Sequence, residues 1–258
     1  MERIRDTKTS GISRNALHTW GMFFLALGIL GRSIFQNQLL GLSSVTAQQL
    51  LEAMQSSEAM MLYATLGLVL QAIETCALPI FAFLLVEGVQ KTSNFRNYFF
   101  RVLGVAVLSE IPYNLAMSAK LFDFSSRNPV FGLVLAMIAM YFYGRYAEKS
   151  VKNTLIKLVV TLAAMIWGSM LSIEYGGCLV LVAVVLWAFR AKPLMRNIAG
   201  ATATILGSLY SLFMMAAPMG FLAIHFYKGE KGEENRLVNY LAYPVLLLAV
   251  ALVGMFAL

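Results

Sequence analysis

The chain contains a series of apolar stretches that approach the length a helix needs to cross a lipid bilayer. Such a helix requires about 20 predominantly apolar residues. Candidate spans lie near 17–36, 62–88, 97–117, 129–146, 154–172, 177–190 and 238–258. Only 13% of the residues are charged and 59% are hydrophobic, whereas an ordinary globular chain is about a quarter charged. The sequence therefore predicts an all-α, polytopic transmembrane helical bundle, with residues 1–258 forming a single membrane domain.

Basic residues are distributed unevenly among the polar connections. Lys and Arg in short connections are retained in the cytoplasm. They are concentrated in the N-terminal tail and in alternate connections, whereas 37–61 has none and the connection after the third stretch has only Lys120 and Arg127. We therefore expect a cytoplasmic N-terminus. This topology explains the formal net charge of +7, and no nucleic-acid partner is expected.

The apolar stretch 197–227 has basic residues on both flanks, so it must leave and return to the same side of the membrane. Two spans cut from it would have about 15 residues each, or roughly 22 Å, which is short for the hydrocarbon core. Two interpretations stay open: two short helices that turn near Ser211, which gives nine spans, or a re-entrant hairpin, which gives eight.

The connection 37–61 is a polar excursion, rich in Gln and Ser, that we expect on the outer side of the membrane. Its apolar residues Val45, Leu50, Met54 and Met61 recur at helical spacing. This pattern is typical of a helix lying on the membrane surface.

Ionisable side chains inside the predicted spans mark candidate catalytic residues, because charge is unfavourable in hydrocarbon. The set comprises Glu74, Glu110, Arg32, Tyr113 and Asn114. Tyr113 and Asn114 follow Glu110 by three and four residues and so share its helix face. Either glutamate could act as a base, and Arg32 or the Asn114 amide could stabilise an oxyanion. Arg32 could neutralise Glu74 or Glu110, and structural ion pairs are the alternative explanation for the whole set.

A second group lies at the predicted cytoplasmic edge and is a candidate site for a phosphate-bearing ligand. It comprises Glu87, Lys91, Arg101, His225, Tyr227, Lys228 and Lys231. Basic residues beside glycines suit phosphate, because glycine lets the backbone approach the ligand. Retention of positive charge in the cytoplasm explains the same lysines without a ligand. Glu87 and Glu74 lie roughly 20 Å apart along one helix, so they belong to different sites unless that helix is broken at Pro79.

Several blocks of the sequence resemble the TraX family, bacterial inner-membrane proteins named for an acetyltransferase of the pilin N-terminus. The blocks are PIFAFLLVEGVQKTSNFRNYFFRVLGVAVLSEIPYNLAMS (79–118), NPVFGLVLAM (128–137), IEYGG (173–177), FYKGEKG (226–232) and NYLAYPVLLL (239–248). They cover roughly residues 70–250 in the family order. The resemblance implies a multi-pass acyltransferase that takes acetyl-CoA from the cytoplasm and acetylates an amine or hydroxyl acceptor.

The chain departs from the family pattern at two places. Gly28 and Ile29 stand where the family has Asp and His, and Glu74 and Thr75 stand where it has Gly and Arg. Together with the insertion 37–61, these departures indicate a divergent subgroup. The Asp and His that the resemblance would provide as a general base are therefore missing from this sequence. We predict that a buried glutamate acts as the base instead.

Two other functions fit the same residues. Buried glutamates could relay protons or cations in a transporter or permease, although no inverted repeat is visible. A catalytically inactive protein that binds a membrane partner is the third interpretation.

Overall fold

The protein is helical almost throughout residues 11–41, 47–230, 232 and 235–256, which the computed structural model describes. Its α-helices are α1 (Arg14–Leu30), α2 (Ala47–Ser56), α3 (Glu58–Glu74), α4 (Ala77–Lys91), α5 (Phe95–Ser118), α6 (Val130–Arg145), α7 (Val151–Met170), α8 (Gly176–Ala188), α9 (Pro193–Leu206), α10 (Gly220–His225) and α11 (Arg236–Phe256). Extended pairing within these ranges is limited to two isolated bridges. The predicted all-α class is confirmed.

Five helical stretches are long and apolar enough to cross a membrane. They are Arg14–Leu39, Glu58–Lys91, Phe95–Ser118, Val151–Met170 and Leu237–Gly254. The first includes a π-helix, Gly31–Leu39, that continues α1, and α6 and α8 are shorter apolar helices. A membrane protein is therefore supported, whereas the number of crossings and the side of the N-terminus remain predictions.

Helix α4 forms the centre of the bundle. Every residue from Ala77 to Gly88 is buried except Phe81, and the helix contacts α1, α8 and α10. A helix that is apolar on all faces is expected in the interior. Glu87 and Lys91, near the end of α4, belong to the first of the two polar regions described below, and Glu74, just before α4, belongs to the second.

Glycines allow α6, α7 and α8 to pack closely. A Cβ added at Gly168 would lie 3.0 Å from the carbonyl carbon of Gly176, and one added at Gly132 would lie 3.2 Å from the Gly176 Cα. Helices in membranes associate largely through such close backbone approaches, since apolar burial against lipid provides little drive.

The helical stretch Glu58–Lys91 is interrupted at Thr75 and Cys76, one turn before Pro79. Proline has no N–H to donate to the carbonyl four residues earlier, and its ring crowds that carbonyl. A break at Pro79 left a shared site possible, but Glu74 and Glu87 still lie in separate groups, the first bound to Arg32 and the second to Lys91.

The stretch 197–227 forms a hairpin of broken helices. Both of its ends lie beside the Phe83 ring. The centroid of that ring is 4.6 Å from the Arg196 guanidinium and 5.2 Å from the centroid of the Tyr227 ring. The turn between α9 and α10 consists of short 3-10 segments around Ser211. Its Phe213 carbonyl accepts a hydrogen bond from Thr75 Oγ1 at 2.9 Å. The hairpin thus returns to the end where it began, as both interpretations require, and turns at the level of the α3–α4 junction.

The polar excursion is shorter and more helical than predicted. The π-helix extends to Leu39, α2 is helical as expected, and α3 begins at Glu58 rather than near residue 62. The early start is explained by Ser57, whose side chain accepts from the Met60 amide as an N-cap. Residues 42–46, including Val45, lie outside the described residues.

Candidate functional site

A cavity of about 360 Å³ lies between α1, α4, α5 and α11 and reaches α6 and α8. Its lining residues on α1 run from Arg14 to Leu25, and those on α4 run from Leu78 to Lys91. They recur every three or four residues, which places them on one face of each helix. At about 1.5 Å per residue these intervals correspond to roughly 16 and 20 Å. The cavity is therefore elongated along the helix axes.

The two ends of the cavity differ in chemistry. Arg14, Lys91 and Arg101 line one end, which we call the basic end. The other end, which we call the apolar end, is lined by Tyr243 and by the apolar residues Leu25, Leu78, Pro129, Val130, Leu133 and Leu179. Positive charge followed by an apolar wall is the pattern that an amphiphilic anion requires.

Glu87 holds two cations of the basic end in place. Its buried carboxylate lies 2.6 Å from Lys91 Nζ and 3.8 Å from Arg14 Nε. The Tyr227 hydroxyl donates to the same carboxylate, and Lys91 Nζ also donates to the Gly229 carbonyl at 3.2 Å. The structure therefore brings together Glu87, Lys91 and Tyr227, three residues of the predicted ligand site.

Arg101 is held differently from the other cations of the basic end. Its side chain is exposed, and its Nε donates to the Asn97 carbonyl at 3.2 Å. Within the described part of the chain, no carboxylate forms an ion pair with it. Its charge is therefore available to an anionic ligand.

Two further described residues of the predicted ligand site, His225 and Lys228, do not join this group. His225 is exposed and does not line the cavity. Lys228 lies over Gly11, and its backbone N–H donates to the Ile12 carbonyl at 3.1 Å. Lys231 lies outside the described residues. The backbone pairing of Lys228 with Ile12 holds Lys228 over Gly11, whereas Tyr227 and Gly229 beside it reach Glu87 and Lys91.

A buried polar group surrounds Arg32 in the π-helix. Arg32 Nη2 lies 2.6 Å from Glu74 Oε1, and Nη1 bonds to Glu174 Oε1. The Tyr113 hydroxyl donates to Glu174 Oε2 at 2.9 Å and lies 2.9 Å from Ser126 Oγ. We call these five residues the Arg32 cluster. It joins the π-helix, α3 and α5 to the connections that precede α6 and α8.

Glu110 lies outside the Arg32 cluster. Asn128 donates to its Oε2 twice, from Nδ2 at 2.6 Å and from the backbone N–H at 3.2 Å. Arg127 Nη1 is 3.9 Å from Oε1. Of the two pairings that the sequence left open, Arg32 therefore forms the one with Glu74.

Tyr113 and Asn114 do not join Glu110, although helical spacing predicted a shared face. Tyr113 belongs to the Arg32 cluster, and Asn114 Nδ2 is directed to the Leu121 carbonyl at 3.5 Å. The reason is the connection after α5, which folds back over that helix and supplies Asn128 to Glu110 instead.

The cavity and the predicted catalytic residues are adjacent but separate. None of those five residues is among the described residues that line the cavity. Pro129 lines the apolar end and directly follows Asn128, which binds Glu110. Tyr243 also lines that end and packs in the same buried cluster as Tyr113. The apolar end of the cavity therefore approaches the buried carboxylates at two places. Asn128, beside Pro129, binds Glu110, and Tyr113, which packs in the same cluster as Tyr243, binds Glu174.

Gly28 and Glu74 depend on each other. A Cβ added at Gly28 would overlap the side chain of Glu74, including its carboxylate. A side chain at residue 28 and a glutamate at residue 74 cannot occupy this space together. In this chain the space is occupied by the Glu74 side chain from α3, and Gly28 on α1 leaves room for it.

Several polar residues of the cavity wall had no role in the sequence interpretation. His18 and Tyr98 line the cavity toward its basic end, and Tyr243 lines the apolar end. The block NYLAYP carried a usable signal, because Asn239, Tyr240 and Tyr243 share one helix face. All three line the cavity.

The fold and this site define an all-helical membrane protein with an internal cavity and, beside it, buried paired charges. Its described residues contain no group of three His, Cys, Asp or Glu side chains that could hold a metal ion. The family model described as TraX protein matches residues 49–254, so the chain belongs to the TraX family. Neither a curated protein nor a solved structure gives a significant match.

Proposed function

We propose that this TraX family member is an integral acyltransferase of the bacterial inner membrane that takes an acyl group, in the first instance acetyl, from acyl-CoA. The observation that carries the proposal is the elongated cavity with cations at one end and an apolar wall at the other. We place the basic end in the cytoplasm, where positive residues are retained and where acyl-CoA is available.

In this proposal the donor enters the cavity with its phosphates at the basic end. Its phosphates would lie against Arg101, with Arg14 and Lys91 beside it. Arginine suits this role because its planar guanidinium binds phosphate through paired hydrogen bonds. The pantetheine arm would follow the wall inward and bring the thioester to the apolar end, beside Tyr243.

The reaction would transfer the acyl group to an amine or hydroxyl acceptor. The acceptor nitrogen or oxygen attacks the thioester carbonyl carbon, the C–S bond breaks, and CoA leaves as a thiolate that takes up a proton. A base must remove the acceptor proton, and a donor must stabilise the oxyanion. We assign the first role to Glu110 and the second to Tyr243.

Exposure supports Glu110 over Glu74 as the base. The Glu110 side chain is 19% exposed, whereas that of Glu74 is 3% exposed and bound to Arg32. An acceptor can reach the former more readily. The transporter interpretation has less support, because Glu74 and Glu110 lie in separate hydrogen-bonded groups and so form no continuous relay among the described residues.

The test is acyl transfer by the purified protein in detergent, with radiolabelled acetyl-CoA and membranes of the native host as the source of acceptor. We expect Glu110→Gln to abolish labelling while the thermal unfolding midpoint stays near that of the wild type. Glu148→Gln, in an exposed connection, is the matched control and should transfer normally.

Retained transfer in Glu110→Gln would refute the assignment of the base. A wild-type protein that neither labels an acceptor nor is stabilised by any acyl-CoA would refute the transferase and favour the partner-binding interpretation.

A further inference from the structure

The Arg32 cluster contains two carboxylates and one cation. Arg32 bonds to both Glu74 and Glu174, and the side chains of these three residues are 12%, 3% and 13% exposed. The neighbouring pair of Glu110 and Arg127 is balanced in itself. With both carboxylates ionised, the cluster would carry one uncompensated negative charge inside a membrane bundle, which is strongly unfavourable.

The other titratable groups around the cluster do not compensate this charge. They are the hydroxyls of Tyr113, Tyr175 and Tyr243, which lie within electrostatic range of Glu174. A phenol is uncharged near neutral pH. Among the described residues of the cluster, Arg32 therefore supplies the positive charge alone.

Glu74 is the carboxylate with unused bonding capacity. Its Oε2 is buried and has no hydrogen-bond partner among the described residues, and it faces the backbone of α1 at Gly28. Both oxygens of Glu174 are engaged, one by Arg32 and the other by Tyr113. A buried carboxylate oxygen that no protein donor contacts is the favoured position for a proton.

We propose that the Arg32 cluster is a proton-binding site in which Glu74 holds one proton in the folded protein at neutral pH. Uptake of that proton converts the carboxylate to a carboxylic acid and brings the net charge of the cluster from minus one to zero. The site goes beyond the acyltransferase proposal and does not depend on it. Tyr113 and Tyr243 connect it to the apolar end of the cavity, where acyl transfer would release a proton.

Infrared spectroscopy tests the proposal directly, because a protonated carboxylic acid has a C=O stretch that a carboxylate lacks. At pH 7 we expect this band in the wild type and its loss in Glu74→Gln. We also expect its loss in Glu174→Gln, although Glu74 is intact there, because one carboxylate opposite one guanidinium needs no proton. Glu58→Gln, in the exposed first turn of α3, is the control and should keep the band.

Three results would overturn the proposal: a wild-type spectrum without the band, a band that survives Glu74→Gln, or a band that survives Glu174→Gln. A second measurement covers the case in which Glu174→Gln unfolds. Because the folded protein would retain a proton that an unfolded glutamate releases above about pH 4.3, the proton contributes stability that declines as the pH rises beyond that value. The unfolding temperature of the wild type relative to that of Glu74→Gln must therefore fall as the pH rises, and a constant or growing difference also contradicts the site.

Discussion

The basic end of the cavity and the Arg32 cluster both place charged side chains against apolar helices, yet they balance those charges in different ways. At the basic end, Glu87 binds Arg14 and Lys91, while Arg101 has no carboxylate partner among the described residues. In the Arg32 cluster, one guanidinium faces two carboxylates.

The comparison separates two uses of charge in a membrane bundle. A cation without an internal partner beside a cavity suits binding of an anion from outside the protein. A buried ion pair holds helices together, because removal of either partner leaves an unsolvated charge. The same residue type, arginine, therefore has different expected roles at the two places.

The largest predicted effect compares these two arginines. We expect Arg32→Gln to lower the free energy of unfolding by about 3–5 kcal/mol, since it leaves buried carboxylates without their cation. Arg101→Gln should change it by no more than about 0.5 kcal/mol, because that side chain is exposed. Unfolding of both variants in the same detergent measures the difference. Similar losses in the two variants would remove the distinction between the regions.

A smaller effect concerns the glycine that makes room for the cluster. Gly28→Ala should lower the free energy of unfolding by about 1–3 kcal/mol, because the added methyl group overlaps Glu74. Gly104→Ala is the control, since a Cβ there has nothing within 4 Å, and it should cause no loss.

The reciprocal exchange sharpens this second prediction. Gly28→Asp combined with Glu74→Gly moves the carboxylate from α3 to α1 and removes the overlap. The double variant should be more stable than Gly28→Asp alone in a denaturation experiment. Additive losses would show that the two positions are independent.

The smallest predicted effect is on binding at the basic end. Arg101→Gln should weaken acetyl-CoA binding about tenfold, equivalent to about 1.4 kcal/mol, because it removes the unpaired cation. Arg96→Gln, an exposed arginine on the same helix outside the cavity wall, should bind normally. The ligand-dependent rise in unfolding temperature reports the affinity. Equal weakening in both variants would indicate a general effect of surface charge.

Local sequence information predicted the elements well and their contacts less well. The apolar stretches became helices, and Pro79 fixed the break between α3 and α4. Residues on one helix were harder to assign: Glu110, Tyr113 and Asn114 share a helical spacing, but the connection after α5 directs them to different partners. Spacing fixes a face of a helix, whereas the choice of partner depends on what packs against that face.

The sequence alone therefore determined the class of the protein, because apolar length, basic connections and the family blocks are properties of contiguous residues. The tertiary structure decided which charges are paired, where the cavity lies and why a glycine at residue 28 leaves room for Glu74. Arg32 and Glu174 are 142 positions apart in the chain, and no periodic pattern extends over such a separation. Those contacts are set by helix packing, which brings remote residues within hydrogen-bond distance.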